Sequence, residues 1–297
     1  MPNLLRPVDS LARIRAYRAT IVRACGDHAF TPYMTLFFRD FSREELLAAR
    51  DEIIGCKLYP AGITTQSEAG VSDFDRIGPT VALLEELDIP LLVHGESGGF
   101  VMDREREFLA VYRWLAETFP RLRIVMEHIT TAAAVDFLDR FENVAATVTL
   151  HHLMITLDDV AGGLLQPHLF CKPLAKTPRD REALRRAVFA GQPRLLFGSD
   201  SAPHPRDRKE CPGCAAGVFS APVALPMLAE LFEEAGCLER LQGFVSDQAR
   251  RFYRIDPPQR IVTLRPKPWT VPEQYETTRP FLADKTLRWS LRQSGLT

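Results

Sequence analysis

Six short runs of almost unbroken apolar residues, set between longer helical stretches, constrain this chain more than any other feature. The runs are FTPYMTLFF (30–38), IIGCKLYP (53–60), PLLVHGE (90–96), RIVMEHI (123–129), VAATVTLHHL (144–153) and RLLFGSDSA (194–202). Runs without polar alternation are buried on both faces, as in a parallel sheet covered by helices. The stretches between them read as those helices: RPVDSLARIRAYRATIVRAC, TVALLEEL, REREFLAVYRWLAETF (104–119), TAAAVDFLDRF (131–141) and PRDREALRRAVFAG (178–191). PVALPMLAELFEEAG and a helix ending near Tyr253 follow. Repeated strand–helix units over roughly 250 residues fit a (β/α) barrel or a doubly wound sheet. Polar residues decide between the two. Lys57, His94, His128 and Asp200 each sit at or near the C-terminal end of a different run, and a barrel brings all such ends to one mouth. The expected fold is therefore α/β, a TIM (β/α)8 barrel over residues 1–255, with a Pro-rich tail over 256–297 wrapped on the same domain. Eight strands close such a barrel and six are evident. The chain opens with MPNLL, as if already at the end of a strand.

With 46% apolar and 25% charged residues, the 297-residue chain has the balance of a globular protein with a large core. Its 37 basic and 38 acidic residues leave a formal charge of −1, so nothing marks it as a binder of nucleic acid or of an anionic membrane. No stretch approaches about 18 consecutive apolar residues, and the N-terminus lacks the basic-then-apolar layout of a secretory signal. Six cysteines are too few for a disulfide framework in a chain of this length. A cytoplasmic location is expected.

The strand-end residues are those of a divalent-metal hydrolase. Neutral imidazole binds zinc, and an Asp can ligate the metal or move a proton. Lys57 is the odd member, because an ammonium in an apolar site is desolvated and repels a metal. Reaction with CO₂ would make it a carbamate, an anion able to bridge two metals about 3.5–4 Å apart; the plain alternative pairs it with a carboxylate. Elsewhere, Cys211 and Cys214 form CPGC, which reads as a turn because a zinc site needs more ligands. Cys25, Cys56, Cys171 and Cys237 read as small buried residues. RDRKE (206–210) reads as a solvated loop, and the aromatic helix 108–119 as core. No Gly-rich phosphate loop supports nucleotide binding.

Longer motifs carry a resemblance. KLYPAGITT (57–65) with GVSD (70–73), PLLVHGE, EHITT (127–131), HLMITLDD (152–159) and PHLFCKPLAK (167–176) resemble dihydroorotase of the compact bacterial homodimeric type, within the amidohydrolase superfamily. So do GSDSAPHPRDRKE (198–210), GVFSAP (217–222) and FLADKTLRWS near the end. The resemblance implies reversible cyclisation of N-carbamoyl-L-aspartate to L-dihydroorotate in pyrimidine biosynthesis, at two zinc ions with a bridging hydroxide. It implies that Lys57 is the carbamylated bridging ligand, that His94 and His128 bind the more buried metal, and that Asp200 ligates the other and acts as general acid/base. Thr64 and Thr65 would lie on a loop closing over the substrate. Asn3, His204 and the backbone around Lys172 and Ala216 would hold its carboxylate and ring amides.

One part of the family pattern is missing. Amidohydrolases carry a His-x-His pair on the first barrel strand, followed in dihydroorotases by a substrate-gripping Arg. The seven histidines here (28, 94, 128, 151, 152, 168 and 204) include no such pair. His151 and His152 are adjacent, so on a strand they would face opposite ways; His152 reads as structural. MPNL resembles the end of the family's second strand, so the barrel is expected to lack its first strand and most of its second. Two alternatives follow: an upstream segment supplies HxHxR, or the chain is a catalytically impaired subunit with a role in assembly.

Overall fold

The computed structural model describes residues 2–292; Met1, and residues 293–297 of the expected tail, lie outside the described residues. Each of the six apolar runs contains one strand: β1 (Thr35–Phe37), β2 (Gly55–Leu58), β3 (Leu91–Val93), β4 (Ile124–Met126), β5 (Val144–Val148) and β6 (Leu195–Phe197). They follow one another in sequence order in a parallel sheet, and β2 to β5 are buried at every position. Helices alternate with them, as crossovers between parallel strands require: α1 (Leu11–Cys25), α2 (Arg43–Ala49), α3 (Gly78–Glu86), α4 (Arg104–Thr118), α5 (Ala132–Leu138), α6 (Leu150–Met154), α7 (Leu157–Ala161) and α8 (Pro178–Ala190). After β6 come α9 (Arg206–Lys209), α10 (Ala224–Glu234), a π-helical turn (Gly243–Asp247) and α11 (Gln248–Tyr253).

Local chemistry sets the element ends. Thr177 accepts a hydrogen bond from the Asp180 N–H, Pro178 occupies the first turn and Gly191 turns left-handed at φ 77°, so α8 is capped at both ends. α2, which the strand-and-helix pattern did not mark, is nucleated by a capping box between Ser42 and Glu45. The run 144–153 is shorter as a strand than expected. The Thr149 side chain accepts from the His152 N–H, an N-cap that stops β5 at Val148 and starts α6.

The chain divides into two compact units. The first comprises Met1–Glu127, Asp136–Ala146 and Phe252–Pro258. Its core includes Leu58, Tyr59, Leu91, Leu115 and Ile124, each at most 1% exposed, and Phe108 and Tyr112 of α4 pack edge to face. The second comprises His128–Val135, Thr147–Arg251 and Gln259–Thr297. There the tail forms two short antiparallel pairs, Leu264–Arg265 with Ser290–Leu291 and Trp269–Thr270 with Thr286–Leu287. The tail is tied down at Phe281 N–H to the Phe219 carbonyl (2.8 Å) and at Trp289 N–H to the Glu230 carboxylate of α10 (3.3 Å).

Candidate active site

In the first unit the strand-end residues gather round Tyr59. Lys57 lies within β2, 3% exposed, with its ammonium 5.3 Å from the Tyr59 ring centroid. It also lies 4.0 Å from the Glu127 carboxylate, the paired arrangement that was the plain alternative. His94, directly after β3, stands 6.3 Å from the Tyr59 ring. Its Nε2 is 2.7 Å from the carboxylate of Glu96, and both side chains are buried. A buried carboxylate on one ring nitrogen fixes the tautomer and the ring orientation. The Tyr59 hydroxyl donates to Asn3 Oδ1 (3.0 Å), and Asn3 Nδ2 donates to the Thr65 carbonyl (2.9 Å). Thr64 is held by Ser67, whose Oγ accepts from the Thr64 N–H and donates to its carbonyl. Asn3, Lys57, His94, Thr64 and Thr65 are thus linked through one aromatic ring and one short loop.

The second unit holds the other candidates on bent backbone. His128 and Asp200 have φ of 44° and 38°, a left-handed region that non-glycine residues seldom occupy and that concentrates at functional sites. The His128 N–H donates to Thr147 Oγ1 (2.6 Å). Thr147 also explains Gly198: a Cβ there would lie 2.6 Å from the Thr147 Cβ. His128 is therefore coupled through Thr147 to the backbone at Gly198. His204 Nε2 donates to the Ala216 carbonyl (3.2 Å); burial pushes its pKa down, against the pull of that carbonyl. Gly217 N–H donates to the Phe170 carbonyl (2.9 Å), two residues before Lys172, and a Cβ at Gly217 would lie 2.6 Å from that of Ala202. His204, Ala216 and the 170–172 segment are brought together.

His151 and His152 lie on α6, not on a strand, so their rings are neighbours with centroids 4.5 Å apart. With Cys171 they form the one three-residue group of donor side chains, all within 4.8 Å, found among the described residues. His152 is engaged on both ring nitrogens, by Thr149 Oγ1 (2.9 Å) and the Pro173 carbonyl (3.0 Å). Burial, then the charge of Asp200, pushes the Cys171 thiol up to about 12. RDRKE is not wholly solvated, since Lys209 is 2% exposed. CPGC is a turn, with Gly213 at φ 69° and both thiols free. Cys56, Cys171 and Cys237 are buried, and Cys25 only half so. Tyr59, Glu96, Glu127 and Thr147 were missed. Glu96 and Glu127 carried a faint signal, since each lies within two residues of a strand-end histidine in an otherwise apolar run.

Among known proteins, the Amidohydrolase family model matches residues 13–254. The dihydroorotase of Laribacter hongkongensis is 43% identical over 305 residues, 98% of this chain and 88% of that one. A crystal structure of dihydroorotase from Campylobacter jejuni superposes with a TM-score of 0.93 at 51% identity, covering 98% of this chain and 87% of that chain. Dihydroorotase from Saccharomyces cerevisiae, solved with 5-fluoroorotic acid, gives 0.90 at 36% identity, covering 98% and 88%. The parallel β/α architecture is thus the TIM-barrel fold of these enzymes. No described helix is long and apolar enough to cross a membrane. The chain belongs to the amidohydrolase family and, within it, to the dihydroorotases.

Proposed function

We propose that this chain interconverts N-carbamoyl-L-aspartate and L-dihydroorotate, a cyclic amide hydrolase acting as a homodimer in the cytoplasm. The observation that carries the reading is the strained placement of His128 and Asp200 just past the ends of β4 and β6. The alternative of an inactive subunit finds no support, since each relative named above is a dihydroorotase.

The donor set fits divalent zinc: two imidazoles, a carboxylate and a buried lysine able to take up CO₂. Lys57, His94, His128 and Asp200 would hold it, and the metal would supply Lewis acidity and an acidified water. Asp200 carries the proton between the attacking oxygen and the ring nitrogen that leaves, a task for one positioned carboxylate. His204 and the backbone at Ala216 and Lys172 bind the ring amides and carboxylate. Asn3 joins Tyr59 to the Thr64–Thr65 loop, so loop closure and substrate contact share one amide side chain.

Zinc content tests the ligand assignment: His94→Asn is expected to lose metal and His152→Asn to keep it, because both ring nitrogens of His152 are engaged by Thr149 and the Pro173 carbonyl. The function itself is tested by hydrolysis of L-dihydroorotate by the purified chain, which is expected to be lost on chelation and restored by zinc. Sedimentation tests the dimer.

A further inference from the structure

We infer that Lys209 is a positioning residue for the substrate: its buried ammonium gathers three backbone carbonyls from two distant loops and so aims the peptide groups that bind the ring. The inference rests on the dihydroorotase reading, in which the backbone at Ala216 and Lys172 holds the substrate.

Lys209 ends the four-residue helix α9, among charged neighbours, yet its side chain turns inward. Its Nζ donates to the carbonyls of Phe170 (3.0 Å), Ala215 (2.8 Å) and Gly217 (2.8 Å). An ammonium has three N–H donors and no acceptor, so three carbonyls satisfy it. Lysines are seldom fully buried without a charged partner. Here the charge is matched by peptide dipoles instead, and it fixes chain geometry. Burial lowers the Lys209 pKa, as expected of a cation removed from water.

The consequence follows from peptide planarity. C=O and N–H point opposite ways across a trans peptide. Fixing the Ala215 carbonyl on Lys209 therefore fixes the direction of the Ala216 N–H. Fixing the Phe170 carbonyl does the same for the N–H of Cys171, next to Lys172. Two further bonds complete the frame: Gly217 N–H to the Phe170 carbonyl and His204 to the Ala216 carbonyl. One cation thus sets the spacing of the 170–172 and 215–217 segments, and with it the seat of His204.

The test compares the wild type with Lys209→Met, which keeps the chain length and removes the donors, and with Lys209→Gln, which keeps an amide and is the milder change. For dihydroorotate hydrolysis, KM is expected to rise about tenfold or more in Lys209→Met and a few-fold in Lys209→Gln, with the smaller effect on kcat. In the same samples, amide hydrogen exchange is expected to speed up at Gly217, whose N–H is held by the Phe170 carbonyl, while β2 and β3 stay protected. Either Lys209→Met or, should that variant not fold, Lys209→Gln overturns the inference if it keeps wild-type KM and wild-type exchange at Gly217. An equal fall in melting temperature and protection across the whole chain, with KM unchanged, also overturns it, because that is a purely structural lysine. A wild type that does not turn over dihydroorotate refutes the functional reading instead, and the exchange measurement still decides whether Lys209 holds the two segments.

Discussion

The two units place polar side chains in apolar surroundings by different means. In the first, Lys57 sits in a regular strand, paired in register with Phe37 and Leu92. Side chains do the positioning there: Tyr59 beside Lys57 and His94, Glu96 on the imidazole, Asn3 on the loop. In the second, the backbone itself is bent at His128 and Asp200, and Gly198 and Gly217 leave room where a Cβ would collide. Left-handed backbone at a non-glycine residue costs about 1–3 kcal/mol each. The surrounding bonds must offset that cost, here Thr147 beneath His128 and Lys209 across the 170 and 215 segments. The first unit should therefore be sensitive to changes of side-chain chemistry and the second to changes of backbone space.

Asp200→Asn should give the largest effect. Removing the one positioned acid/base is expected to lower kcat by about 10³-fold with little change in melting temperature; near-normal turnover would remove Asp200 from the chemistry. Glu96→Gln comes next. Losing the charge that orients His94 should weaken metal affinity about 10–100-fold, read by competition with a chelator, and unchanged affinity would remove His94 from the metal site. Gly198→Ala sharpens the contrast from the other side. Its Cβ would press on Thr147 and displace the His128 N–H, costing about 1–3 kcal/mol and lowering metal content; a variant with normal melting and full metal would show that this backbone has slack. Tyr59→Phe should be mildest, at about 1 kcal/mol for one hydrogen bond to Asn3, seen in denaturant unfolding.

Much of this was legible in the sequence because burial leaves a composition signal. Runs apolar on both faces marked all six sheet strands, and a polar residue inside or closing such a run made Lys57, His94, His128 and Asp200 the proposed site residues. Strand ends were less legible, since they depend on single capping side chains. Thr149 turned the end of one apolar run into α6 and thereby made neighbours of His151 and His152. Long-range partners left almost no trace. Nothing local shows that Lys209, in the string RDRK, folds inward onto Phe170 some forty residues earlier, or that Thr147 lies under both His128 and Gly198. Left-handed φ at His128 and Asp200 was equally invisible, because those residue types have no intrinsic demand for it.

The most direct test of the central claim is to measure zinc per protomer and L-dihydroorotate hydrolysis in one preparation of the purified chain, before and after chelation. Bound zinc and turnover are expected to disappear together and to return together when zinc is restored. A folded, zinc-loaded chain without turnover, or turnover indifferent to chelation, would contradict that claim.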